Sequence, residues 1–118
     1  MRYPGDQTVD MIDALVESHI IQFDDDGFLT DPQQWSPRVA YWLAVHDGFD
    51  HLTIEQWTII SYLREYYFKY GLPPTSRHIC FTNHMTKHCI DTNFNYQYKE
   101  AWRLAGLPNP GEETKTYM

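Results

Sequence analysis

No stretch of the 118 residues approaches 18 consecutive apolar side chains, and the mean hydropathy is -0.56, which excludes a membrane-spanning helix. The opening run Met1-Arg2-Tyr3-Pro4-Gly5-Asp6 has no apolar segment behind its one positive charge, so it does not read as a signal peptide. Basic residues are scarce: 9 Lys+Arg face 16 Asp+Glu, for a net charge of -7 and a pI near 5.1. Such a chain does not hold nucleic acid by bulk charge, although a local basic patch is compatible with it. Two cysteines, Cys80 and Cys89, are too few for a disulfide scaffold. Without an export signal they are expected to be reduced thiols, and the expected address is cytoplasmic. Repeats and low-complexity tracts are missing as well. What is abundant is aromatic area, 16% of residues within an apolar fraction of 42%. A 14.1 kDa chain buries about two-thirds of its extended surface, enough for one core and not for two.

Apolar residues at Val9, Ile12, Leu15 and Val16 predict a short amphipathic helix over 9–17. Ile20-Ile21-Gln22-Phe23 and Phe28-Leu29-Thr30-Asp31 flank Asp24-Asp25-Asp26-Gly27, an arrangement that predicts a β-hairpin. The Asp triplet lacks the spaced ligands and distal carboxylate of a calcium loop. Ser36 is a good N-cap with Pro37 at the first helical position, opening a helix over 37–46 that ends at Gly48. Thr53-Ile54-Glu55-Gln56 has the form of a capping box. The helix it starts runs to about Tyr70, carries apolar residues over more than a normal amphipathic stripe, and reads as the central helix of the core, stopped by Gly71 and Pro73-Pro74. Thr75 or Ser76 caps a helix over roughly 76–88, and a last helix covers about 96–105 before Gly106. Beyond Pro108 and Pro110, residues 111–118 are polar and aperiodic and read as an exposed arm.

The segment from Arg77 to Cys89 is the densest in chemistry-bearing side chains. On one helix Cys80, His84 and His88 stack at i, i+4 and i+8, a weak zinc or copper candidate that cannot close a tetrahedron alone. Nothing in the sequence orients a base against either thiol. Nine residues of continuous helix span about 13 Å, so no disulfide joins Cys80 to Cys89 in this reading. The long helix, the Gly71-Leu72-Pro73-Pro74 turn and a capped helix bearing Arg77, Asn83 and Lys87 also outline a helix-turn-helix. With so few cations to meet phosphate, DNA binding ranks below protein binding.

Taken in order, Trp35-Ser36, Leu52-Thr53 with Glu55-Gln56-Trp57, Tyr62-Leu63-Arg64-Glu65-Tyr66-Tyr67, Pro74 followed by Arg77, and Ala101 through Ala105-Gly106-Leu107-Pro108-Asn109-Pro110 resemble the DsrC/TusE family. These are the gamma-subunit-like proteins of dissimilatory sulfite reductase and their sulfur-relay relatives. The resemblance spans about residues 23–110, and its most specific motif is Ala-Gly-Leu-Pro-x-Pro, where the family's mobile arm begins. It implies an α+β, mostly helical fold, a hairpin or meander packed on about five helices. It divides the chain into a globular domain over 1–110 and a flexible arm over 111–118.

The resemblance also implies a sulfur carrier, with a penultimate cysteine on the arm and, in DsrC proper, a second one upstream. Counted from the Ala105-Gly106-Leu107-Pro108 anchor, those positions hold Glu113 and Trp102, and neither is a thiol. Asn93 to Tyr98 likewise departs from the family's usual Phe-Pro-x-Gly-Pro run. The expected function is a DsrC-like protein without the carrier cysteines. It would act as a non-catalytic binding or regulatory partner of a sulfurtransferase or sulfite reductase complex, with no cofactor and no catalytic residue of its own. Arg64, Arg77, Lys99, Arg103, Pro108 and Pro110 are the candidates for the partner surface. The alternatives are sulfur carried on Cys80 or Cys89, and a DNA-binding regulator.

Overall fold

The computed structural model describes the backbone of residues 4–118 and the side chains from Met11 onward. Among these residues there are seven α-helices: α1 (Pro4–Glu17), α2 (Pro37–His46), α3 (Ile54–Tyr70), α4 (Ser76–Thr82), α5 (Cys89–Phe94), α6 (Tyr98–Leu104) and α7 (Glu112–Lys115). A single 3-10 turn, Pro32–Gln34, precedes α2. No helix among the described residues is long and apolar enough to cross a membrane.

Local capping chemistry sets several boundaries where the sequence places them. The Ser36 hydroxyl accepts from the Val39 N–H with Pro37 at the first helical position. Thr53 and Gln56 complete a reciprocal capping box, each side chain accepting the other's backbone N–H. Gly71 closes α3 in the left-handed region at φ 76°.

The expected hairpin is reduced to a single antiparallel bridge. Gly27 makes its turn at φ 90°, but the flanking runs meet through one antiparallel bridge, Phe23 to Leu29, and form no strand. Asp24 turns the chain with its own carboxylate, accepting the N–H groups of Asp26 and Phe28. Two residues past the bridge the chain bends into the Pro32 turn, so a ladder has no length over which to form. Ile21, Phe28 and Leu29 are buried against helices instead of pairing as a sheet face. The fold is therefore almost entirely helical.

The long α3 and the short α6 share the centre of the core, α3 packing against α4, α5 and α6 and burying Ile59, Ile60 and Leu63. Short as it is, α6 packs against α2, α3 and α5 and buries Tyr98, Ala101, Trp102 and Leu104. The longer α3 buries only Gln56, Ile59, Ile60 and Leu63, leaving Ile54, Phe68 and Tyr70 exposed on its outer side.

The helix expected over 76–88 breaks at Thr82. The Asn83 side chain bonds back to the Ile79 carbonyl, and His84 takes the left-handed region at φ 58°. The His84 and Met85 N–H groups then return to the carbonyls of Phe81 and Cys80, the two bonds of a Schellman ending. The chain reverses, and α5 starts at Cys89.

Candidate functional site

The side chains with the most long-range bonds converge where α6 gives way to the C-terminal segment. Trp35 donates its indole N–H to the Leu104 carbonyl at 2.8 Å. Arg64 donates to the carbonyls of Ala105 at 2.8 Å and Pro32 at 3.2 Å, its guanidinium stacked 4.2 Å from the Trp35 ring centre. Burial lowers the Arg64 pKa, and the two carbonyls and the indole face take the place of water around its charge. Gly106, at φ 66°, lies so close to Trp35 that a Cβ there would sit 2.0 Å from the indole Cδ1. Trp102 completes the root by donating to the Pro108 carbonyl at 2.8 Å.

Past Pro108 the segment folds onto the Asp24–Gly27 turn. Asn109 donates to the carboxylates of Asp24 at 3.0 Å and Asp26 at 2.9 Å, and Lys115 on α7 reaches Asp26 at 2.7 Å and Glu112 at 3.1 Å. The Lys115 and Asn109 hydrogen bonds lower the Asp26 pKa, and Asp26 in turn raises that of Lys115. The acidic triplet thus faces this chain's own amide and ammonium donors. Its role as the seat of the C-terminal segment carried no sequence signal, because the partners stand more than eighty residues away.

Arg103 ties the same corner to α2, donating to the Gly27 carbonyl at 2.8 Å and pairing with Asp47. Beside it Glu100 is a neutral-leaning acid. Burial first, then its hydrogen bond with Asp47 and that carboxylate's charge, push it up to about 8 against the pull of Arg103. Its Oε1 has no hydrogen-bond partner among the described residues. Lys99, Glu100, Arg103, Glu112 and Lys115 line a hollow of about 390 Å³ at this corner.

Of the two positions that the family resemblance marks for cysteine, residue 102 holds a Trp that is fully buried, and residue 113 holds a Glu exposed on α7. The actual cysteines lie elsewhere. Cys80 and Cys89 are both buried and are joined as a disulfide with Cα atoms 5.7 Å apart. The expectation of separate reduced thiols fails because the Asn83–His84 ending removes the continuous helix that would have held them apart. The same break takes Cys80, His84 and His88 off a common helical face, and no three-residue metal-binding group occurs among the described residues. It also undoes the helix-turn-helix outline. Asn83 caps α4 and Lys87 lies in the turn beyond it, so neither stands on a recognition helix.

The partner-surface candidates therefore separate. Arg64, Arg103 and Pro108 serve the internal bonds of the root, and Lys99 lines the hollow at its edge. Pro110 lies half-buried ahead of α7. Arg77 stands apart on α4, beside the disulfide-linked turn.

A family model described as "DsrC like protein" matches residues 15–112. The sulfurtransferase TusE of Salmonella paratyphi A is 27% identical over 104 residues, which cover 81% of this chain and 94% of that protein. The Escherichia coli sulfurtransferase TusE is 26% identical over the same length and shares. Among solved structures, the oxidized gamma-subunit of the dissimilatory sulfite reductase (DsrC) from Archaeoglobus fulgidus superposes with a TM-score of 0.67 at 35% identity. That match covers 77% of this chain and 90% of the other. Allochromatium vinosum DsrC gives 0.65 at 33% identity, covering 77% and 88%.

Proposed function

Because this chain belongs to the DsrC-like family, we propose that it works in a sulfur-relay or sulfite reductase assembly as a partner-binding protein that carries no sulfur itself. The observation that carries this reading is the whereabouts of the thiols. The only two cysteines are buried and bonded to each other, while the positions matched to the family's carriers hold Trp102 and Glu113. A persulfide forms on a thiolate, and a carboxylate at 113 offers no sulfur to build it on. Docking needs no thiol. In this reading the globular part, residues 1–110, presents the C-terminal segment 111–118 to a protein of the sulfur-transfer or sulfite reductase type, in the cytoplasm. The close restraint of Gly106, Leu107 and Pro108 would direct that segment and reduce the entropy lost when it binds.

A second reading has an observation of its own. The curated relatives are named sulfurtransferases, which favours sulfur relay, and Cys80 and Cys89 would be its acceptors once reduced. A reconstituted relay that passes radiolabelled sulfur to a TusE-type acceptor tells the two apart. On the partner-binding reading, excess of this protein slows labelling of the acceptor and takes up no label itself. Label on this protein, removed by a reducing agent and absent from a Cys80→Ser/Cys89→Ser variant, establishes the second reading instead.

A further inference from the structure

Between α4 and the start of α5 lies a hollow of about 500 Å³ lined by Arg77, Phe81, Met85, Lys87 and His88. It lies apart from the root of the C-terminal segment, whose bonds use none of these side chains. Phe81 is 82% exposed, so its ring is open to a partner at the mouth of the hollow. Arg77 stands one helical turn before it on the same face. Among the described residues neither Arg77 nor Lys87 forms an ion pair, and both line this hollow beside Phe81 and Met85. His88 pairs with Asp91 at 3.6 Å, the one carboxylate bonded to this rim.

The walls of the hollow are fixed before anything enters. Phe81 directly follows Cys80 and His88 directly precedes Cys89, so the disulfide joins the two walls at their base. The Met85 N–H bond to the Cys80 carbonyl holds the third wall in place. A prearranged site loses less conformational entropy on binding than one that must be assembled.

We infer that this hollow docks an acidic segment of a partner protein, which lays carboxylates against Arg77 and Lys87 and inserts an apolar side chain beside Phe81 and Met85. The inference rests on the partner-binding reading above and names the surface and the chemistry it takes. Charge complementarity selects the occupant. On a chain of net charge -7, two cations on the rim of one apolar hollow draw an acidic segment there and set its register. A small inorganic anion would leave Phe81 and Met85 uncovered. Duplex DNA would meet two fixed cations on an otherwise acidic molecule, too few for stable phosphate neutralisation.

The test is a titration of the full chain, oxidised, with a labelled peptide of alternating Glu and Leu carrying one Trp. Anisotropy gives the affinity and heteronuclear NMR gives the location. Shifts centred on Phe81, Met85 and His88 are expected. Affinity should fall with added salt and drop at least tenfold in Arg77→Glu/Lys87→Glu. Phe81→Ser, at an exposed position that the fold does not need, should weaken binding by several-fold with the salt dependence retained. A peptide with Lys in place of Glu should leave the signals of Phe81, Met85 and His88 unshifted, since Arg77 and Lys87 repel it from the hollow. Absence of peptide binding, shifts centred on another face, equal affinity in the charge-reversed variant, or tighter binding of a short DNA duplex would each overturn the inference. The relay competition assay keeps the two claims apart. If the natural protein competes and Arg77→Glu/Lys87→Glu competes equally well, the hollow is excluded while partner binding stands. If the natural protein does not compete, partner binding itself fails.

Discussion

Gly106 joins the core to the C-terminal segment and meets two constraints at once. Its φ of 66° is one that L side chains adopt only at a cost, and the Trp35 indole occupies the space a Cβ would need. Trp35 cannot yield, because its N–H is held by Leu104 and Arg64 is stacked on its ring. Gly106→Ala should therefore lower unfolding stability by about 2–4 kcal/mol, measured by urea denaturation. Glu100 behaves oppositely, as a residue whose replacement helps. Its pKa rises from 4.5 to about 8 on folding, so between those values the folded chain keeps a proton that the unfolded chain has released. Stability therefore falls as pH rises through that window. Glu100→Gln keeps a donor for Asp47 and has no proton to lose. It should raise the melting temperature at pH 8 and have little effect at pH 4.5, and an equal effect at both values would contradict this account. The Gly106 and Pro108 punctuation is readable from sequence, since glycine after a helix and proline beyond it are local signals. Glu100 is not, because its shift comes first from burial and then from Asp47, fifty-three positions away at the C-cap of α2.

The same division runs through the elements. Helix starts at Ser36, Thr53 and Thr75 are legible because a hydroxyl capping an N–H two or three residues on is a property of the local sequence. The end of α4 is not, because there His84, and not a glycine, takes the left-handed region, and a histidine in a polar run is a far weaker stop signal than glycine. That one misplaced boundary carried the thiol, metal and helix-turn-helix expectations with it. The hairpin is reduced to one bridge for a related reason: the Asp-Gly turn is a local signal, but the length of the ladder around it is not. The Cys80–Cys89 bond closes a loop of sequence separation 9, for which chain entropy gives a stabilisation of about 2–3 kcal/mol. Reduction with a phosphine should lower the urea midpoint accordingly. The backbone amides of 83–88 should lose hydrogen-exchange protection before those of α3. Unchanged exchange in the turn would show that the Schellman ending alone holds it.

At the scale of the whole molecule the sequence pattern points to α3 as a core helix, and α3 does pack against α4, α5 and α6. The seven-residue α6 fills the middle beside it with Trp102, and part of α3's apolar surface stays outside. Burial depends on neighbours that no periodicity in α3 records. Trp102 lies in the core and Glu113 is exposed on α7, so neither position carries a thiol, and the proposed reading that this chain carries no sulfur turns on them. Intact mass spectrometry after incubation with a persulfide donor measures that directly, on the natural protein and on Glu113→Cys. The account predicts no mass gain for the natural protein and the addition of one sulfur atom, removable by a reducing agent, for the variant. Equal loading of the two would contradict it and make Cys80 or Cys89 the carrier.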